Sequence, residues 1–249
     1  MLLVGGAVLC QHFSGCLPSG GDYEAGGATF RDSGQRPVEV VVAECAVCHG
    51  ALEAQRGPIL NGMDRWYLTE QLKKFRSGVR GANPANRSEF LMGTAVKKLR
   101  DDLEMVAVAD WFARQKTTPA IRTVQGDLAA GQKLYATRCA SCHGDEAQGK
   151  AEVNSPSLTQ LEGWYFLEQL KKFRAGTRGH HPADVDGKVM GAALADLTNA
   201  QLRDVTSYIV EHFGPPAAPT LLDVLRGRFK ESDVSDENIT NSPEQKTAP

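Results

Sequence analysis

Apolar residues recur along this chain with helical spacing. Leu68, Leu72 and Phe75 fall at i, i+4 and i+7, with Glu70 and Lys74 placed to pair on the opposite face and Gly78 as a stop. The same arrangement returns around Leu170 and Phe173. Met105, Val108, Ala109 and Phe112 share one face of a later helix, and Thr198 with Gln201 forms a capping-box signature ahead of Leu202, Val205 and Ile209. Asp127 reads as the N-cap of a helix that carries Tyr135 towards Cys139, and Gly214-Pro215-Pro216 ends the last one. No run alternates as a strand would. The pattern predicts an all-α protein.

Sliding the sequence against itself shows why the pattern repeats. Residues 66–76 and 164–174 agree at nine of eleven positions, and the register continues from Gly78-Val79-Arg80-Gly81 onto Gly176-Thr177-Arg178-Gly179 and from Met92-Gly93 onto Met190-Gly191. Upstream, Cys45-Ala46-Val47-Cys48-His49-Gly50 matches Cys139-Ala140-Ser141-Cys142-His143-Gly144 once four extra residues are allowed before Trp164. The chain is a duplicated module. The expected divisions are a leader over 1–16, a flexible tether over 17–37, a first domain over 38–116, a linker over 117–126, a second domain over 127–215 and a largely disordered extension over 216–249. Leu221, Leu222, Leu225 and Phe229 within that extension read as a loosely packed turn or as a short amphipathic helix that docks on the body or a partner.

Composition narrows the function. Over 249 residues, 28 Lys+Arg against 30 Asp+Glu leave no basic field for nucleic acid, and no apolar run approaches the roughly 20 residues of a membrane-spanning helix. The apolar Met1–Leu9 stretch followed by Phe13-Ser14-Gly15-Cys16 resembles an export leader with a lipobox. It predicts a periplasmic protein, tethered to the membrane if Cys16 is lipidated and free if the leader is simply cleaved.

The other four cysteines carry the chemistry. Cys-x-x-Cys-His is the attachment site of c-type haem, in which two thiols add to the vinyl groups and the adjacent imidazole sits beneath the iron. Zinc would need the two pairs to converge, and a redox pair would need a βαβ setting. Two motifs in matching register predict two covalent haems, one on Cys45, Cys48 and His49 and one on Cys139, Cys142 and His143. Each module spans only about 80 residues, small enough to profit from that added core.

On these residues the chain resembles the tandem class I cytochromes c, the dihaem bacterial carriers of the cytochrome c-four type, across Val38 to Phe213. Its Trp-Tyr-x-x-x-Gln-Leu-x-x-Phe-Arg stretch is also similar to oxidase-associated cytochrome c domains. The resemblance implies two fused class I domains, each wrapped around one haem, with His/Met ligation. Met92 and Met190, at equivalent repeat positions, would be the axial partners of His49 and His143. Met63 and Met105 read instead as packing residues, and His180 and His181 as loop residues, since Ala82 and Asn83 replace them in the first copy. The carbonyls of Pro58 and Pro156 are expected to accept the proximal ring N–H. Trp66 and Trp164, with Arg80 and Arg178, would contact the haem, although the tryptophans could equally be core aromatics. Lys73, Lys74, Lys171 and Lys172 read as a solvated helix face or as steering charges. In the first copy Pro37 and Val41 replace Gly131 and Tyr135, so its first helix should start at or after Pro37.

The function implied is single-electron carriage from a quinol-oxidising donor to a terminal oxidase or reductase, without catalysis at the metal. The alternative is a dihaem subunit serving a flavoprotein or quinoprotein dehydrogenase, and a dihaem enzyme with an open iron stands third. Twelve basic and ten acidic residues over Val38–Lys116, against nine and eleven over Asp127–Phe213, suggest different partners for the two haems.

Overall fold

The computed structural model describes residues 36–50 and 57–219; their regular structure is helical, with only two isolated bridges between extended residues. The first module contains α1 (Val38–His49), α2 (Arg65–Arg76), α3 (Arg87–Val96) and α4 (Asp102–Ala113). The second contains α5 (Leu128–Arg138), α6 (Ala140–His143), α7 (Gly163–Arg174), α8 (Val185–Leu194) and α9 (Asn199–His212). The leader with Cys10 and Cys16, the tether up to residue 35 and the C-terminal extension beyond residue 219 lie outside the described residues, while Arg36 and Pro37, expected in the flexible tether, are part of the ordered first module.

In each module the first and last helices pack together and the tryptophan helix lies against the last. Among the described residues α1 packs on α4 and α2 on α4, as α5 packs on α9 and α7 on α9. The predicted faces are the buried ones: Met105, Val108, Ala109 and Phe112 in α4, and Leu202, Val205 and Ile209 in α9. Met63 and Met105 are both core residues. Asp127 caps α5 through Ala129 and Ala130, and Thr198 with Gln201 closes a full capping box on α9.

The two copies differ at the first helix. Pro37 stands at the N-cap of α1, where its missing N–H costs nothing, and Val41 is buried. In the second module the corresponding glycine lets α5 approach closely: a Cβ on Gly131 would stand 2.2 Å from the Asp204 carbonyl oxygen. Tyr135, buried beside it, donates from its hydroxyl to the Gly144 carbonyl at 2.6 Å. The first module replaces that closeness with an ion pair. Arg36 donates to both carboxylate oxygens of Glu104, at 3.1 and 2.9 Å, and so ties the start of α1 to α4. The four extra residues of the second copy form a small excursion, with Lys150 bridged to Ser155 around a 3-10 turn.

The linker is pinned rather than loose. Ala120 N–H donates to Pro216 O at 3.0 Å and Ala120 O accepts from Ala218 N–H at 3.0 Å, which seats the segment against the end of the second module. No helix among the described residues is long and apolar enough to cross a membrane.

Candidate haem centres

Each Cys-x-x-Cys-His motif runs into its module along a helix, and the histidine is fixed from behind. His49 Nδ1 lies 2.7 Å from Pro58 O, and His143 Nδ1 lies 2.9 Å from Pro156 O. A carbonyl can only accept, so Nδ1 carries the proton and Nε2 is the free lone pair in both rings. Burial lowers both imidazole pKa values from the ordinary range, against the raising effect of the proline carbonyls, and keeps the rings neutral. The His49 ring is also held edge-on by backbone: a Cβ on Gly57 would meet its Cε1 at 2.6 Å. Burial pushes the Cys45 and Cys139 thiols up to about 11, the reverse of the depressed values that activate a thioredoxin-type pair.

In the second module Cys139, Cys142, His143 and Met190 line one crevice of about 440 Å³. Its apolar wall comes from Phe166, Leu170 and Phe173 of α7 and from Leu194 and Leu197. Part of its rim belongs to the other module, since Trp66, Tyr67, Gln71 and Lys74 of α2 also face it. Trp66 is therefore a boundary residue, half-buried beside the second crevice, and Trp164 is half-buried as well. Neither is a core aromatic. Met92 in the first module is half-buried and packed against the core, as Met190 is in the second. His180 and His181 lie elsewhere, in the loops where Gly78–Asn83 meets Thr177–His181.

The boundary between the modules is polar and nearly two-fold. Gln71 Oε1 accepts from Arg80 Nη1 at 2.7 Å and from Arg178 Nη2 at 3.1 Å. Gln169 Oε1 accepts from Arg178 Nη1 at 2.8 Å and from Arg80 Nη2 at 3.0 Å. Each arginine also donates to the other module's tyrosine, Arg80 to Tyr165 at 3.4 Å and Arg178 to Tyr67 at 3.2 Å. Their guanidiniums stack on Phe75 and Phe173, at 4.4 and 4.3 Å from the ring centroids. Both arginines are buried, 6% and 7% exposed, so neither can steer a diffusing partner.

The symmetry fails in one charge. Arg80 pairs with Glu89 at 2.8 Å, but Gly187 stands at the equivalent position, and among the described residues Arg178 has no carboxylate within ion-pair distance. A buried cation without a paired anion, on the wall of a crevice that also holds Cys139, Cys142 and His143, fits a group bearing its own carboxylates. The haem fits these residues: thiols and imidazole at one end, apolar walls, and a cation at the rim.

Lys73 and Lys171 lie on an exposed face as expected, whereas Lys74 and Lys172 do not. Lys74 leaves Glu70 and pairs with Asp184 across the boundary at 2.7 Å, because α2 turns its polar side towards the second module rather than towards water. Lys172 is buried, bonded to Ser88 Oγ at 2.9 Å. Glu70 takes the preceding lysine instead, Lys73, at 2.9 Å.

A cytochrome c family model matches residues 128–212. Cytochrome c4 of Pseudomonas aeruginosa is 30% identical over 177 residues, 67% of this chain and 83% of that protein. The chain belongs to the cytochrome c4 family. The reduced cytochrome c4 of Pseudomonas stutzeri superposes with a TM-score of 0.55 at 26% identity, over 70% of this chain and 97% of that one. A thiosulfate dehydrogenase electron acceptor of Stutzerimonas stutzeri is 31% identical over 63% of this chain and 74% of its own length. The cbb3-type oxidase subunit FixP of Bradyrhizobium is 34% identical over 54% of this chain, which spans about half of that subunit, 48%. As a cytochrome c4 relative the protein carries two covalently bound haem c groups and transfers electrons.

Sequence reasoning missed Gln71, Gln169, Glu89, Asp184, Asp64 and Glu162. The glutamines were marked by their identity in both copies, since a polar residue kept on both sides of a duplication has a shared contact to serve.

Proposed function

We propose that this protein is a periplasmic dihaem electron carrier, not itself an enzyme, that moves single electrons from a quinol-oxidising donor to a terminal oxidase or reductase. His49 with Met92 and His143 with Met190 hold the two irons, and Cys16 carries the membrane tether. When bound, each haem supplies a one-electron iron couple, and Met ligation places it at relatively high potential. The protein's own residues do the rest. Pro58 and Pro156 fix the proximal rings, the α7 wall excludes water, and Arg178 offers positive charge where carboxylates would otherwise be buried unpaired.

The observation that carries this reading is that the second crevice is lined jointly by both modules, with Trp66 and Tyr67 on its rim. A group seated there touches both modules, as a two-centre relay requires. The slightly more basic first module and more acidic second favour different partners at the two ends. The test is stopped-flow oxidation of the reduced protein by oxidase-containing membranes, which should be fast and salt-dependent. The relative named as a thiosulfate dehydrogenase electron acceptor supports a second reading, a dehydrogenase-bound subunit. Co-purification at fixed stoichiometry with a catalytic subunit would favour it. Intact mass from the native host reports leader removal and any diacylglyceryl increment on Cys16.

A further inference from the structure

The residues just ahead of α2 and α7 occupy equivalent places in the repeat, Asp64 and Glu162. An acid at this position usually bonds the free N–H groups of its own helix, yet neither side chain does. Both cross the boundary instead. Glu162 Oε2 accepts from Ile59 N–H at 2.9 Å, and Asp64 Oδ2 accepts from Ser157 N–H at 3.4 Å.

Those two N–H groups have a particular place. Ile59 N belongs to the same peptide group as Pro58 O, and Ser157 N to the same peptide group as Pro156 O. The carbonyl of each peptide holds a proximal histidine, His49 at 2.7 Å and His143 at 2.9 Å. A carboxylate of one module is thus linked through a single amide to the imidazole of the other. An amide whose N–H donates to an anion carries more negative charge on its oxygen, because hydrogen bonds along a chain polarise one another. That oxygen then draws harder on the Nδ1 proton and makes Nε2 a stronger donor to a metal, as carboxylates bonded directly to ligating histidines do.

We infer that Glu162 and Asp64 are cross-module positioning residues: each sets, through the peptide following Pro58 or Pro156, the basicity of the other module's proximal histidine and hence the potential of the other module's haem. The inference rests on His49 and His143 holding the irons. Glu162 has the greater effect, since its bond is shorter and it is only 8% exposed, whereas Asp64 is half-buried. The arrangement makes each haem's potential depend on an intact boundary.

The test is a redox titration of the full two-haem protein followed by NMR, with each haem assigned by contacts to the β-protons of Cys45 and Cys48 or of Cys139 and Cys142. Glu162→Gln keeps the size and removes the charge. It should raise the first haem's potential so that its oxidised-to-reduced ratio at fixed solution potential changes at least threefold, about 28 mV at 59 mV per tenfold for one electron, and leave the second haem in place. Asp64→Asn should raise the second haem alone, by less. If Glu162→Gln moves the second haem, both haems equally, or neither, the inference is overturned. If Glu162→Gln fails to assemble, Asp64→Asn decides by the same rule on the second haem. Failure of the underlying ligation would show separately, as a wild-type spectrum without histidine ring signals at the iron.

Discussion

Arg80 of the first module donates to Gln169 of the second at 3.0 Å, and Arg178 returns the bond to Gln71 at 3.1 Å. The two guanidiniums share two amide oxygens across a boundary that would otherwise push like charges apart. Glu89 forms its ion pair with Arg80 alone, although its charge is also felt by Arg178, and this gives the duplicated protein different electrostatics at its two centres.

The pair formed by Arg80 and Glu89 is buried on both sides, so breaking it should be costly. Arg80→Gln leaves a buried carboxylate without its cation and is expected to destabilise the haem-loaded protein by about 3–5 kcal/mol in denaturant titration. The double change with Glu89→Gln should recover much of that loss, since it removes the stranded charge as well.

Acid should loosen the first module through Glu104. Its carboxyl is drawn down to about 2 by hydrogen bonds from Arg36, against the opposing effect of burial and with help from the Arg100 N–H. Because the folded value lies below the ordinary 4.5, the contribution to stability is complete above about pH 4.5 and is lost as pH falls towards 2. Arg36→Ala is expected to flatten that limb of a plot of unfolding midpoint against pH, with little change in its shape above pH 5.

Close approach of α5 to α9 depends on Gly131. A side chain there meets the Asp204 backbone oxygen and Tyr208 Cβ at 2.2 and 2.7 Å, and neither can swing aside. Gly131→Val should lower the second module's stability by about 2 kcal/mol or more, whereas the same residue at position 37 of the first module packs against nothing comparable. Differential scanning calorimetry of the holoprotein resolves the affected transition.

Removing a proposed axial thioether should open one centre. Met190→Ala is expected to convert half of the haem to a form that binds carbon monoxide when reduced, and Met92→Ala the other half, with the covalent attachment unchanged by mass. Optical spectra under carbon monoxide check both.

Much of this architecture was legible because it is local. The capping box at Thr198, the cap at Asp127 and the buried faces of α4 and α9 follow from short-range spacing, and the pairing of each proximal histidine with a proline carbonyl was implied by the family resemblance. What the sequence withheld lies between the modules. Helical periodicity reports that α2 has a polar face but not whether that face meets water or another domain, so Lys74 read as solvated while it pairs with Asp184. Duplication also hides exchange: Trp66 and Asp64 belong to the first copy by sequence and serve the second by position. An equivalence between copies predicts equal surroundings, and Glu89 against Gly187 shows where it fails.

Spectroelectrochemical titration of the wild-type protein under carbon monoxide tests the central claim most directly, that two covalent haems with protein ligands on both sides pass electrons without chemistry at the iron. Two electrons per chain should be taken up in two one-electron steps, with the reduced spectrum indifferent to the gas. Uptake of fewer than two electrons, or a carbon monoxide spectrum at either centre, would contradict it.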